Sequence, residues 1–295
     1  MPQMDDRPIM NLKSVVYATD FSLCSRNAGH YAARMATFLS AKLFVTHSFT
    51  LSQAAMEVEI SDKRLSQQRQ DLTRLLSQEA TLLGMDSIEV IPTLLEGDPK
   101  DAIPELADRE KPSMIVLGTH GGGRLERGII GSVAEKILRS TRWPTLTVSP
   151  HVHFVPSKPL PFERILLATD CTPAAASTAS YALTLAEVLG AEIDVLNVIQ
   201  DDAIEHPDRL GDLQNRFYSA LDSLIPQKAK EFCNPRTFVA AGCAHDRILE
   251  HIRERSIDLL VLGIRKTTHL NMEMRTSGIF RIIVDAECPV LTIRK

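Results

Sequence analysis

The sequence predicts an α/β protein built on parallel sheets, and three observations support this prediction. Strand-like and helix-like patterns alternate along the chain, which is typical of parallel strands joined by crossover helices. Ile115-Val116-Leu117 and similar runs are apolar at every position, as expected for strands that are buried on both faces. The same series of motifs occurs twice in 295 residues, which is enough chain for two domains of about 150 residues each.

The first half alternates five predicted strands with four predicted helices. The strands fall near residues 14–19, 42–48, 88–94, 114–118 and 145–148, and the helices near 23–39, 60–83, 99–110 and 132–140. The second helix shows an apolar stripe at helical spacing, formed by Leu65, Leu72, Leu75, Leu76 and Leu83. Ligands bind to such sheets beyond the carboxyl ends of the strands. Asp20 and Gly118 each end a strand, so we expect both to face one crevice.

The internal repeat consists of five matched segments in a preserved order. The pairs are 14–22 with 164–172, 31–32 with 181–182, 95–98 with 240–243, 113–118 with 258–263, and 143–148 with 288–293. Between the two copies, residues 150–162 contain four prolines, which disfavour a helix and indicate an extended linker. We therefore predict a first domain over 1–150, a Pro-rich linker over 151–162 and a second domain over 163–295.

Composition excludes several classes of partner. The formal net charge of −4 gives no electrostatic footprint for nucleic acid or a membrane surface. The first ten residues are acidic and lack the apolar stretch of a signal peptide, and no apolar run is as long as a membrane span. The five cysteines are odd in number and form no CxxC pair, which favours reduced thiols in the cytoplasm over disulfides or a zinc site.

A glycine-rich segment is the strongest candidate for a binding site. Its spacing is Gly118-x2-Gly121-x9-Gly131-Ser132, between an apolar strand and a helical pattern. Glycine lets backbone N–H groups approach an anion, and a helix N-terminus adds unpaired donors. We expect Ser132 to serve both as the helix N-cap and as a phosphate ligand. Glycines after a strand also form simple tight turns, so this motif alone leaves both interpretations open.

Taken together, these motifs resemble a tandem universal stress protein. The resemblance covers nearly the whole chain as two copies, and it depends on the glycine spacing, the Ala-Thr-Asp after the first strand and the Trp-Pro or Cys-Pro before the last strand. It implies a flavodoxin-like, five-stranded parallel sheet of order 3-2-1-4-5 in each copy, with helices on both faces. It also implies dimerisation through the last strand and, as in many members, binding of ATP, with or without Mg²⁺.

The resemblance assigns a role to each matching residue of the first half. Asp20 would meet the nucleoside, the backbone at Ser48 would contact adenine, and Gly118 would lie near the ribose. The phosphates would be held by Gly121, Gly131, Ser132 and Val133. Two of these positions have simpler interpretations. Asp20 is also placed to cap the first helix, and the neighbouring His47 is expected to pack under the sheet.

The second half departs from this pattern. Lys266 replaces the second glycine, Thr276-Ser277 replaces Gly-Ser, and the loop between them contains no glycine. Side chains at these positions should block the backbone approach to phosphate, so we predict that the second site is degenerate for ATP. Arg265, Lys266 and Arg275 could attract another anion, although a solvated charged loop is the simpler interpretation.

The sequence therefore predicts a cytoplasmic protein that binds an adenine nucleotide in its N-terminal domain and acts as a stress-response regulator or sensor. We assign no catalytic residue and no metal ligand, and any ATP hydrolysis would be slow. The alternative is a nucleotide-free interaction module that carries another small ligand or a partner protein. The short β-rich runs at 146–148 and 290–293 are expected to be edge strands that need a partner. They predict an internal pseudo-dimer of the two domains or a homodimer.

Overall fold

The structure is a computed structural model that describes residues 13–50, 61–84, 87–111, 114–121, 129–156, 161–200, 207–264 and 278–294. Residues 122–128 of the glycine-rich segment and residues 265–277 of the second half lie outside these ranges.

Strands and helices alternate in both halves of the chain, as predicted. The first half contains β1 (Ser14–Ala18), α1 (Leu23–Leu39), β2 (Lys42–Phe49), α2 (Ser61–Leu83), β3 (Val90–Glu96), α3 (Pro99–Glu110), β4 (Met114–Gly118), α4 (Ser132–Ser140) and β5 (Thr145–Val148). The second half contains β6 (Arg164–Ala168), α5 (Ala175–Leu189), β7 (Glu192–Ile199), α6 (Pro207–Leu224), α7 (Gln227–Phe232), β8 (Arg236–Ala241), α8 (Ala244–Arg255), β9 (Leu259–Ile264), α9 (Gly278–Asp285) and β10 (Val290–Arg294). The predicted element types of the first half are confirmed.

Both repeats have the predicted strand order. The order is β3-β2-β1-β4-β5 in the first repeat and β8-β7-β6-β9-β10 in the second, which is 3-2-1-4-5 in each case. The pairs of β1 with β2 and β4, and of β6 with β7 and β9, are parallel. The predicted flavodoxin-like fold is therefore confirmed.

The chain forms two compact units. The first includes the described residues from 13 to 121 and from 131 to 145, and the second includes 129–130 and 146–294. In the second unit, the Thr147 hydroxyl donates a hydrogen bond to the Val290 carbonyl, with Oγ1 3.1 Å from the oxygen.

The core of the first unit lies around β1, the middle strand of the first repeat. Val15, Val16 and Tyr17 of β1 are fully buried. In the register of the sheet, Ala18 of β1 pairs with Thr46 of β2 and with Leu117 of β4. Because these three strands are parallel and end at nearly the same level, the residues that follow them lie at one edge of the sheet.

The connection from β1 to α1 turns sharply. Phe21 has φ 62°, in the left-handed region that non-glycine residues seldom adopt. Its backbone N–H donates to the Thr19 hydroxyl at 3.0 Å, which stabilises the turn. The second half repeats this arrangement at Cys171, which has φ 55° and donates its N–H to Thr169 Oγ1 at 3.2 Å. Both turns leave the aspartate of the Ala-Thr-Asp motif at the edge of the sheet.

The second unit contains a buried charge cluster, formed by Asp194, Arg236, His251 and Arg255. The Asp194 side chain is only 1% exposed. Its Oδ1 accepts from Arg236 Nε at 2.9 Å, and its Oδ2 lies 3.0 Å from His251 Nε2 and 3.2 Å from Arg255 Nε. Burial raises the pKa of this carboxyl, but the hydrogen bonds from His251, Arg236 and Arg255 outweigh burial, so the pKa of Asp194 is lowered overall.

Within the described residues, no helix has the length and apolar character that crossing a membrane would require.

Candidate functional site

A cavity of about 200 Å³ opens in the first unit at the carboxyl ends of β1, β2 and β4. This is the position at which the sequence predicts a crevice. All seven predicted binding residues line the cavity: Asp20, Ser48, Gly118, Gly121, Gly131, Ser132 and Val133. The structure thus brings together residues from four separate stretches of chain, although their role in binding stays a prediction.

Asp20 lies at the mouth of the cavity and does not cap α1. The N-cap of α1 is Ser22, whose side chain accepts a hydrogen bond from the Ser25 N–H. Asp20 instead accepts from the backbone N–H of Ser22, at 3.1 Å from Oδ1. The interpretation of Asp20 as the helix cap is therefore wrong. The carboxylate is held at the cavity by the turn that precedes the helix.

Gly121 allows the glycine-rich loop to come close to this carboxylate. A Cβ atom on Gly121 would lie 2.7 Å from Asp20 Oδ2, which is shorter than any normal contact. Asp20 is exposed, so a substitution at Gly121 would require its side chain to move away from the loop.

Gly131 is more tightly constrained than Gly121, because the atom nearest to an added Cβ belongs to the backbone rather than to a side chain. Its N–H donates to the Thr119 carbonyl at 2.8 Å, and a Cβ on Gly131 would lie 2.9 Å from the same oxygen. A larger residue would have to displace the chain between β4 and α4. Only glycine fits here without moving the loop.

The N-terminus of α4 forms one end of the cavity. Gly131 is the N-cap and Ser132 is the first helical residue, so the prediction that Ser132 is the N-cap is wrong. Because glycine has no side chain, the N-cap residue forms no side-chain hydrogen bond to this helix end. The first-turn N–H groups and the exposed Ser132 hydroxyl are consequently available at a positive helix end. This arrangement suits an anion.

Gly118 lies where β4 meets the start of α1. A Cβ on Gly118 would lie 3.0 Å from both the Cys24 sulfur and the Ser25 amide nitrogen. The Cys24 thiol is partly enclosed, and burial raises its pKa. Cys24 is therefore not an activated thiolate.

His47 and Ser48 of β2 also line the cavity. His47 lines the cavity, so the expectation that it packs under the sheet is wrong. Its Nδ1 lies 2.8 Å from the Thr19 carbonyl oxygen, and its ring centroid is 4.6 Å from that of Phe21. The Ser48 hydroxyl donates to the Gly97 carbonyl at 2.7 Å, so its proton is already engaged.

Sequence reasoning missed several other residues that line the cavity, including Thr19, Ser25, Pro99, Ile103 and His120. Thr19 and His120 directly precede Asp20 and Gly121 in the sequence, so the motifs could have indicated them. Pro99 and Ile103 belong to α3, and only the packing of that helix reveals their position. His120 is buried in the loop, with Nδ1 2.8 Å from the Thr119 hydroxyl.

The second unit repeats the hydrogen bonds found after β1 and near the end of β2. Asp170 Oδ1 accepts from the backbone N–H of Thr172 at 3.1 Å, as Asp20 does from Ser22. Asn197, at the position of His47, donates from Nδ2 to the Thr169 carbonyl at 2.9 Å. The substituted residues Arg265, Lys266, Arg275, Thr276 and Ser277 lie outside the described residues, so the degeneracy of the second site stays a prediction.

The cavity combines a carboxylate at its mouth with a positive helix end, without a metal-binding cluster. In the described ranges, no three His, Cys, Asp or Glu side chains are grouped so that they could hold a metal ion. The helix end suits anionic groups, while Asp20 suits hydroxyl or amine donors.

Comparison with known proteins gives a consistent result. The model of the universal stress protein family matches residues 11–149 and again residues 161–294. A universal stress protein of Methanocaldococcus jannaschii is 29% identical over 141 residues, which cover 46% of this chain and 81% of that protein. A universal stress protein of Thermus aquaticus is 26% identical over 136 residues, which cover 46% of this chain and 98% of the relative.

A solved structure extends the similarity to both halves. The universal stress protein of Archaeoglobus fulgidus DSM 4304 superposes with a TM-score of 0.70 at 20% identity, covering 96% of each chain. At this identity the likeness concerns the fold alone. The family model covers nearly all of the sequence in two successive matches. The chain therefore belongs to the universal stress protein family, as a tandem member with two family segments.

Proposed function

We propose that the first unit binds ATP in the cavity and that the protein acts as a nucleotide-binding regulator in a stress response. The observation that carries this proposal is the cradle at Gly131. There the helix N-terminus, a backbone too crowded for a Cβ and the exposed Ser132 hydroxyl converge on one cavity. Phosphate groups fit such a cradle because they accept hydrogen bonds from backbone N–H groups.

The other side of the cavity suits a nucleoside. Asp20 offers a carboxylate to ribose or base donors, and Pro99 and Ile103 provide apolar surface. Among the described residues that line the cavity, Asp20 is the one that carries a carboxylate. An accompanying Mg²⁺ would therefore take most of its ligands from phosphate oxygens and water. When bound, the ion would neutralise phosphate charge.

We assign no catalytic residue. Phosphoryl transfer needs a group that orients the nucleophile beside the phosphates. Asp20 is assigned to the nucleoside, and His120 is buried with its Nδ1 beside Thr119 Oγ1. Any ATP hydrolysis would be slow and would serve as a timer. The structure places none of the described cysteines in a disulfide, which supports our placement of the protein in the cytoplasm.

We expect one ATP to bind per chain, because the glycine set of the first half is intact and the second loop lacks it. Isothermal titration calorimetry of the full chain measures this stoichiometry. Two equivalent sites would contradict the prediction.

Mass spectrometry of ligands released from freshly purified protein tests the alternative of a nucleotide-free interaction module, which a non-nucleotide ligand would support.

We further propose that the last strands of the two repeats pair within one chain as an internal pseudo-dimer. The hydrogen bond from Thr147 to Val290 supports this pairing. The double variant Thr147→Cys/Thr292→Cys is expected to form an intrachain disulfide under mild oxidation, detected by peptide mass spectrometry. The two single variants are the controls. Disulfides found only between chains would instead indicate a homodimer that pairs these edges.

A further inference from the structure

We propose that His47 selects the base of the nucleotide by accepting a hydrogen bond from its exocyclic amine. The site would then favour 6-aminopurines over 6-oxopurines. This inference rests on the proposed function, since it concerns the nucleoside end of the same cavity.

The hydrogen bond at Nδ1 determines what His47 presents to a ligand. Nδ1 lies 2.8 Å from the Thr19 carbonyl oxygen. A carbonyl oxygen can only accept, so Nδ1 carries the proton. In the neutral imidazole the other nitrogen, Nε2, then has a lone pair and no proton. Across the described part of the chain, no group forms a hydrogen bond with Nε2.

Two contacts fix the orientation of the ring. The Thr19 carbonyl holds one edge, and the Phe21 ring lies against it with a centroid distance of 4.6 Å and an interplanar angle of 37°. Phe21 is itself fixed by its left-handed backbone and by the hydrogen bond from its N–H to the Thr19 hydroxyl. His47 is thus a preorganised acceptor in the cavity wall.

His47 lies at the end of the cavity that suits a base. The phosphate cradle is at Gly131 and Ser132, on α4. His47 and Ser48 end β2, and the apolar side chains Pro99 and Ile103 line the cavity as well. A flat heterocycle can contact this apolar surface while its polar edge meets the imidazole and the backbone of Ser48.

The second repeat preserves the same hydrogen-bonding pattern with a different side chain. Asn197 donates from Nδ2 to the Thr169 carbonyl at 2.9 Å. Its Oδ1 is buried, and no described group forms a hydrogen bond with it. Histidine and asparagine differ in shape and chemistry, yet each donates to the carbonyl that follows the first strand and retains an unpartnered acceptor. The shared feature is therefore an acceptor at this position.

This acceptor discriminates between purines. The 6-amino group of adenine donates a hydrogen bond to Nε2, whereas the 6-oxo group of hypoxanthine would place a second acceptor against the same lone pair. A lost or mismatched hydrogen bond of this kind changes affinity by about tenfold. The two nucleotides have the same ribose and phosphates, and their bases differ at N1 as well, which carries a proton in hypoxanthine.

Calorimetric titrations of the full chain with ATP, ITP and 2′-deoxyATP test the proposal. We expect wild-type protein to bind ATP about tenfold more tightly than ITP. His47→Asn, which copies the second repeat, should keep a preference of the same sign. His47→Phe keeps an aromatic ring beside Phe21 but has no acceptor, so the ratio of the two affinities should fall toward one. Melting temperatures establish that both variants are folded.

Three results would overturn the inference. They are equal binding of ATP and ITP by wild-type protein, an unchanged preference in folded His47→Phe, and weakened binding of 2′-deoxyATP without weakened binding of ITP. The last result would assign the contact to the ribose. A wild-type protein that does not bind ATP would reject the proposed function itself, and the inference with it.

Discussion

Gly131→Val is expected to weaken ATP binding by about a hundredfold while the protein stays folded. A Cβ at this position already lies 2.9 Å from the Thr119 carbonyl oxygen, and valine adds two methyl groups in the space proposed for phosphate. Overpacking of a site that cannot relax costs roughly 1–3 kcal/mol, and 2.7 kcal/mol corresponds to about a hundredfold in affinity. Calorimetric titration of ATP into the purified variant measures the loss.

Gly211→Val is the matched control, because a Cβ on Gly211 meets no atom within 4 Å. Gly211 lies in α6 of the second unit and is not among the residues that line the cavity. We expect this variant to bind ATP as wild-type protein does. Circular dichroism checks that both variants are folded. If folded Gly131→Val binds ATP with unchanged affinity, the phosphates lie elsewhere and the assignment of the cradle is wrong.

The elements of the first half could be predicted because their patterns are strong. β1 and β4 are buried along their length, so they appear as continuous apolar runs. The predicted strand at 88–94 is the least accurate, since β3 spans Val90–Glu96. This strand is at the edge of its sheet, is only half-buried and includes Pro92. Its apolar pattern is consequently weak, and the turn before it was included in the prediction.

The glycines of the candidate site could also be predicted, because their need for close backbone approach constrains residue type. The roles of neighbouring side chains could not. Ser22 rather than Asp20 caps α1, and Gly131 rather than Ser132 caps α4, because helix boundaries are set by tertiary contacts as well as by local sequence. The position of His47 could not be predicted either. Alternation along β2 places it on the same face as Leu43 and Val45, which are buried, yet His47 lines the cavity.

Asp194→Ala is expected to lower the free energy of unfolding by about 3 kcal/mol. Removing one partner of a buried ion pair leaves the remaining charges without compensation and typically costs roughly 3–5 kcal/mol. Arg236 and Arg255 are more than a third exposed and can partly turn to solvent, which favours the lower end of this range. Urea denaturation followed by circular dichroism measures the change.

Glu192→Gln is the control, because Glu192 pairs with the same Arg236 at 2.8 Å but is 53% exposed. An exposed pair contributes at most about 1 kcal/mol, so this variant should be nearly as stable as wild type. The pKa of Asp194 is lowered in the folded protein, so its stabilisation is complete above the ordinary aspartate pKa of about 3.9 and is lost as the pH falls through the folded value. Asp194→Ala should therefore lose least stability in strong acid. An equal loss in both variants at neutral pH would show that burial does not strengthen this pair.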